Sequence, residues 1–240
     1  METNRIMTAH EIAQYIKMYE RRTRGALDQY AKLAKSEVTD FPPRHLVAID
    51  HQIQKQLIES DRNDLDLIIN TQEKPLPLSR MISESLIDLD IKAQNKKQVL
   101  SKLARIAFEN RVTSSYESLY IELENREKQM STGIGNGAAL PHARFPQRIL
   151  FAEPKVILAK SIPGVDFDAP DKKKVHLFFL LCSPDECSHV RLLALVCKLL
   201  RFPYVIERFK NTVNRQDIMK IINSFEQLQV LPNADLGRQQ

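Results

Sequence analysis

Three of the chain's six glycines, Gly133, Gly135 and Gly137, fall at alternate positions inside the stretch 131–144, and Pro141 follows before His142. Glycine adopts backbone conformations that other residues avoid, and proline cannot continue a helix. The stretch therefore has to be loop and short strand, and it must deliver one histidine at a fixed point. Glycine also lets main-chain N–H groups approach an anion closely, and a neutral imidazole is a nucleophile near neutral pH. A glycine-lined loop that ends in a positioned histidine is expected to carry a negatively charged group, and phosphate fits that description.

Around this stretch the chain is that of a globular protein. Its 240 residues are 43% hydrophobic and 27% charged, enough apolar material for a substantial core. No apolar run approaches the ~20 residues needed to cross a bilayer, and the N-terminus lacks the apolar stretch of a secretory signal. The three cysteines, Cys182, Cys187 and Cys197, are odd in number and clustered, so they read as reduced thiols in a cytoplasmic protein. The net charge of +5 is uneven: residues 1–75 carry 11 Lys/Arg against 12 Asp/Glu. The basic excess lies in the remainder. It suits an acidic or phosphorylated protein partner and falls short of a nucleic-acid signature.

The pattern divides the chain near Pro75 and Pro77. Residues 1–75 read as helical, with Thr8 and Glu11 as a capping box, a face of Ile12, Tyr15, Ile16 and Tyr19, and further segments around Leu46–Leu57 and Leu65–Ile69. Residues 76–228 alternate. A short strand is expected at Leu86–Ile91, then a helix marked by Val99, Leu100, Leu103, Ile106 and Ala107. A second helix starts at Ser114 with Glu117 and runs to about Lys128. After the glycines come a small strand at Ala138–Leu140 and two clear strands at Lys155–Ile162 and Val175–Cys182. Ser183, Pro184 and Glu186 predict a capped helix through Leu200 that Pro203 terminates, and Ile218–Phe225 predicts a last one. Residues 229–240 read as a flexible polar tail. The second part is thus an α/β sandwich.

Three other motifs fail on their context. Gly133-x-Gly135-x-Gly137 follows a helix rather than a strand, and Pro141 blocks the helix that a dinucleotide loop would open. Cys187 and His189 are two apart on a helix and point to different faces, against a thiol enzyme. The remaining histidines show no ligand spacing, so no metal site is expected; His176 reads as structural, and His10, His45 and His51 as surface residues.

Residues from about Ser79 to Phe225 resemble the enzyme IIA domain of the bacterial phosphotransferase system, fructose/mannitol type, with the strongest likeness to its nitrogen-regulatory branch. The resemblance rests on Arg126, on Ser131-Thr132-Gly133-Ile134-Gly135-Asn136-Gly137, on Leu140-Pro141-His142, and on His189 after Ser183-Pro184-Asp185, 47 positions beyond His142. Ala138-Ala139-Leu140 replaces the usual Ile-Ala-Ile, and Ala143 replaces the glycine common after the histidine. The resemblance implies a mixed β-sheet flanked by helices, the IIA sandwich, preceded here by a small all-helical region. It implies that His142 accepts phosphate from an HPr-type phosphohistidine protein, that His189 hydrogen-bonds the phosphate, and that Arg126 stabilises charge. It further implies phosphate contacts from Ser131, Thr132, Gly133, Gly135 and Asn136, with no cofactor.

Several roles follow as expectations. A phosphocarrier could pass its phosphate to a separate IIB domain in sugar transport. Alternatively, phosphorylation of His142 could switch binding to a kinase, transporter or transcription factor, since roughly −1.5 to −2 charges are added to the surface. The absence of a fused IIB or membrane segment favours regulation. For residues 1–75, Thr8–Lys17 is faintly similar to the start of a helix-turn-helix, and Arg21, Arg22 and Arg24 form a basic patch. Residues 37–75 nevertheless carry 8 Asp/Glu against 4 Lys/Arg, which argues against DNA and in favour of dimerisation or a regulatory cap.

Overall fold

The computed structural model of the protein describes residues 77–143 and 149–230. The helices expected in 1–75, their basic patch and most of the polar tail lie outside the described residues. Two 3-10 turns, Leu78–Arg80 and Glu84–Leu86, open the described chain. Strand β1 (Ile87–Asp88), helices α1 (Lys96–Glu109) and α2 (Tyr116–Gln129), and strands β2 (Gly133–Gly135) and β3 (Ala138–Ala139) follow. The second half holds β4 (Lys155–Val165), β5 (Val175–Cys182), α3 (Glu186–Leu200), α4 (Pro203–Asn211) and α5 (Arg215–Val230). The fold is the expected mixed α/β sandwich.

The five strands form one sheet in the order β1-β4-β5-β3-β2. β4 and β5 are its antiparallel centre, β1 joins β4 in parallel, β3 joins β5 in parallel, and β2 closes the edge antiparallel to β3. Side chains alternate across a strand, so a strand covered on both faces must be apolar throughout. On β5, Leu177, Phe179 and Leu181 enter one core with α3, α4 and α5, whereas Phe178, Leu180 and Cys182 enter the other with α1 and α2. β4 divides likewise, with Val156 and Leu158 on the first side and Ile157 and Ala159 on the second. Each large side chain buried this way stabilises the fold by about 1.5–3 kcal/mol.

Three local expectations are corrected. The cap of α3 is Asp185 rather than Ser183: the Asp185 carboxylate accepts from the Ser188 amide at 2.9 Å and from the Ser188 hydroxyl at 2.9 Å, satisfying donors that the first helical turn leaves unpaired. The cap of α2 is Ser115, one residue later than expected, and it accepts from the Ser118 amide at 3.2 Å. Pro203 comes after α3 has ended at Leu200, and it opens a helix of its own. Proline suits that position because the first turn of a helix needs no N–H from it. α4 then buries Val205, Ile206 and Phe209 in the first core.

The glycine stretch contains a strand that the residue pattern did not announce. β2 and β3 form a hairpin whose register shifts between Gly133 and Gly135. Its turn has three successive left-handed residues, Gly135 at φ 82°, Asn136 at 53° and Gly137 at 76°. Such backbone is strained for most side chains and open to glycine and asparagine. Gly133 is needed for a different reason: a Cβ there would lie 3.0 Å from the Cα and Cβ of Ala169. The chain between β4 and β5 is packed directly against this strand, leaving no room for a side chain.

Candidate functional site

From Ala138 the backbone runs extended beside β5. Ala138 pairs with Leu177 and Ala139 with Phe178, and an isolated parallel bridge joins His142 to Leu181. The four-residue advance is the same on both strands, so no residue is gained or lost between Ala138 and His142. Two bonds fasten the segment on either side: the Leu140 amide donates to the Thr132 carbonyl at 2.9 Å, and the Leu181 amide to the Pro141 carbonyl at 2.9 Å. Pro141 has no N–H to place here. His142 consequently stands beside the carboxyl end of β5, where the chain turns through Asp185 into α3. His189 lies in the first turn of that helix, and the two imidazole rings approach to 4.8 Å between centroids at 52°. The carboxyl end of a strand beside a helix N-terminus favours a bound anion.

The protonation of His142 follows from its partners. The Arg126 Nε–H lies 3.0 Å from His142 Nε2. A guanidinium can only donate, so Nε2 must present its lone pair. The proton then sits on Nδ1, which donates to the Leu140 carbonyl at 2.8 Å. His142 is held as a neutral imidazole of one tautomer, with its nucleophilic nitrogen facing a cation. Arg126 is fixed in turn by a 3.0 Å bond from Nη1 to the Met130 carbonyl. It occupies the last turn of α2, where a cation complements the helix dipole. His142 and Arg126 are each 1% exposed and His189 is 4% exposed. At that burial Arg126 is not a charge on a solvated helix face, although the residues around it in α2 are largely charged.

A second network supports this one. Glu127, the neighbour of Arg126, is buried and accepts from the Thr132 amide at 3.0 Å and the Thr132 hydroxyl at 2.6 Å. It also pairs with Lys96 at 3.0 Å, and Lys96 reaches Asp168 at 2.7 Å. Burial works against the Lys96 ammonium, but hydrogen bonds and charge from Asp168 and Glu127 outweigh it and raise its pKa above the ordinary lysine value. This network ties α1, α2, β2 and the loop before β5 together. It sets the path of Met130–Thr132, which presents the carbonyl that holds Arg126. Sequence reasoning missed Glu127, Lys96 and Asp168, since each looks like one charge among many on a helix or loop.

The residues singled out in the sequence therefore separate into two groups. Arg126, His142 and His189 are brought together. Ser131 and Thr132 lie at the same end of β2, yet the Ser131 hydroxyl donates to the Phe167 carbonyl at 2.5 Å and the donors of Thr132 go to Glu127. The Gly133 amide donates to the Ser131 hydroxyl at 3.0 Å. Gly135 and Asn136 are at the hairpin turn, where the Asn136 amide donates to Asp171 at 2.9 Å. Gly137 is five residues before His142 along extended chain, about 16 Å at ~3.3 Å per residue. The turn and the histidine pair are opposite ends of one segment. Two of the cysteines are not candidate nucleophiles: burial pushes the Cys197 thiol up to about 12 and that of Cys182 higher still, so neither is a thiolate. Among the described residues, no helix is long and apolar enough to cross a membrane.

Known proteins are similar to this chain in sequence and fold. Residues 80–225 match the family model of the phosphoenolpyruvate-dependent sugar phosphotransferase system, EIIA 2. The chain is similar to a nitrogen regulatory protein of Klebsiella oxytoca, 30% identical over 152 residues, covering 62% of this chain and 92% of that protein. It is also similar to the fructose-specific EIIABC component of Bacillus subtilis, 24% identical over 153 residues, which covers 63% of this chain but spans only 24% of that protein. Among solved structures, the nitrogen regulatory protein IIA-Ntr of Neisseria meningitidis superposes with a TM-score of 0.55 at 25% identity, covering 60% of this chain and 97% of that one.

Proposed function

The chain belongs to the EIIA 2 family of the phosphoenolpyruvate-dependent sugar phosphotransferase system, and on that premise we propose that it is a phosphocarrier whose His142 accepts a phosphoryl group from an HPr-type phosphohistidine protein. The observation that carries this reading is the fixed tautomer of His142. Nδ1–H is bound to the Leu140 carbonyl and Nε2 offers its lone pair beside Arg126. In the transfer, Nε2 attacks phosphorus in line, the P–N bond to the donor histidine breaks, and the donor ring recovers the electron pair. The Nδ1 proton stays where it is, bonded to Leu140, so the acceptor ring need not shed a proton as the new bond forms.

The electrostatics suit this step. Phosphoryl transfer leaves the protein little to do except position the reactants and balance charge on the equatorial oxygens. Arg126 donates to the lone pair that must attack, so its Nε–H has to pass from Nε2 to a phosphoryl oxygen. It thereby holds the resting nucleophile and afterwards neutralises the anion. His189, in the first turn of α3, is near enough to the His142 ring to donate a further hydrogen bond. Each charge-assisted bond contributes roughly 1.5–3 kcal/mol. Ser131, Thr132 and Gly133 shape the wall of the site through the bonds they already make.

The likeness to nitrogen regulatory proteins supports a regulatory output, with partners that distinguish the phosphorylated from the unphosphorylated form. The second reading is passage of the phosphate to a IIB domain in sugar transport, and the likeness to a fructose-specific component favours it. We further propose that residues 1–75 serve dimerisation or regulation. Incubation of the full-length protein with a phosphorylated HPr-type carrier, followed by intact mass measurement under alkaline conditions, tests the core of the proposal. One phosphoryl group should appear on wild type and none on His142→Ala. Equal labelling of both proteins, or of neither, removes the reading. Adding a purified IIB domain then separates the outputs: loss of the label to IIB supports transport, and its retention supports regulation.

A further inference from the structure

The glycine turn at the far end of the segment from His142 borders a cavity of about 590 Å³. Four elements converge on it: the β2–β3 turn, the loop before β5, the end of α3, and the last turn of α4. Its walls carry Lys173, Lys174, Arg201 and Lys210 against a single carboxylate, Glu207, and its floor is the apolar Leu200 and Ile206. The volume lies within the range of small-molecule sites, about 300–1,000 Å³, and an apolar floor with a few convergent charges is their usual chemistry.

The cationic lining is arranged rather than scattered. Asp171 accepts from the Asn136 amide at 2.9 Å and from the Lys173 amide at 3.2 Å. It therefore clamps the turn to the loop that carries Lys173 and Lys174, and its charge is engaged by backbone donors. The absent side chain of Gly137 leaves room for the basic groups: a Cβ there would meet Cε and Nζ of Lys210 at 3.4 Å and Cδ2 of His176 at 3.7 Å. The carbonyl ends of helices repel anions, and that of α4 is covered. The buried Lys160 ammonium donates to the Lys210 carbonyl at 3.1 Å and to the Thr212 carbonyl at 2.5 Å. Glu207 is paired with Lys210 at 3.3 Å. The His176 Nδ1 lies 3.0 Å from the Ser161 carbonyl, and among the described residues the lining holds no Phe or Tyr.

We propose that this cavity is a second anion site, separate from the histidine pair, that binds a small non-aromatic metabolite bearing two or more negative charges as phosphate ester or carboxylates. The excess of cations sets the charge of the ligand and the apolar floor its aliphatic body. The site does not depend on the chemistry of His142.

Amide NMR spectra of the full-length protein, titrated with glucose 6-phosphate, pyrophosphate and citrate at constant ionic strength, test it. The expected result is saturable shifts at Asn136, Gly137, Lys174 and Lys210 with at least one of these probes. Affinity should fall at least tenfold in Lys174→Glu and in Lys210→Glu, and should be kept in His142→Ala and in Lys92→Glu, an exposed lysine paired with Asp90 outside the cavity. Response to both phosphate probes but not to citrate assigns a phosphate ligand, and the reverse assigns a polycarboxylate. Shifts that follow added chloride equally, that persist in the two cavity variants, or that centre on Met130 and His142 would overturn the proposal.

Discussion

The two ends of the segment from Gly137 to His142 solve opposite problems with the same strand. At the His142 end the imidazole and its cation are buried and committed: Nδ1 to Leu140, Nε2 to Arg126, and Arg126 to Met130. At the Gly137 end the backbone adopts left-handed conformations and the surrounding lysines, Lys173 and Lys174, are exposed. One end is built to fix a single nitrogen, the other to turn the chain and leave room. The glycines that draw attention in the sequence belong mainly to the second task. Closeness in sequence to His142 does not bring a turn to its ring when the intervening residues are extended.

This contrast can be broken by experiment. The largest effect is expected from Arg126→Gln, which removes the cation facing Nε2. The rate of phosphotransfer to His142 should fall about 10²-fold, as for loss of one preorganised charge-stabilising donor, in protein that circular dichroism shows to be folded. A change under threefold would detach Arg126 from the site. A smaller effect, and on stability alone, is expected from Gly137→Ala. A non-glycine residue at φ 76° should cost about 1–2 kcal/mol in urea unfolding, while the transfer rate stays within twofold of wild type. A matching loss of transfer would mean that the two ends are not independent.

The smallest expected effect concerns pH. Burial lowers the pKa of Lys160 below the ordinary lysine value of 10.5. Between the two values the unfolded chain binds more protons than the folded one, so stability contributed at this position rises with pH across that window. Wild type should therefore gain on Lys160→Met as pH climbs towards 10.5, when the two are compared by denaturant titration at each pH. A constant difference would contradict the assignment of Lys160 as a desolvated helix-end cation.

Much of this is legible in the sequence. Val175–Cys182 is apolar at every position but His176, and only a strand covered on both faces uses such a run; its ends were read without error. The pairing of Pro141-His142 with His189 comes from the family resemblance, at its spacing of 47 positions, and the two rings do meet. The misses have physical causes. β2 is three residues long and two of them are glycine, so it offers no alternating pattern to recognise. Pro203 looks like a terminator because proline both ends and begins helices, and the choice depends on packing of Val205, Ile206 and Phe209 into the first core. Glu127 was invisible because nothing in a charged helix shows which carboxylate faces inward. Its role depends on Lys96 and Thr132, brought to it from α1 and from the start of β2.

The central claim is that His142 reacts through Nε2, because Nδ1 carries the proton held by Leu140. Long-range ¹H–¹⁵N spectra with ³¹P coupling on the phosphorylated full-length protein identify which ring nitrogen bears phosphorus. The expected result is a phosphorus-coupled Nε2, with Nδ1 protonated both before and after transfer. A phosphoryl group on Nδ1 of His142, or on His189, would contradict the account.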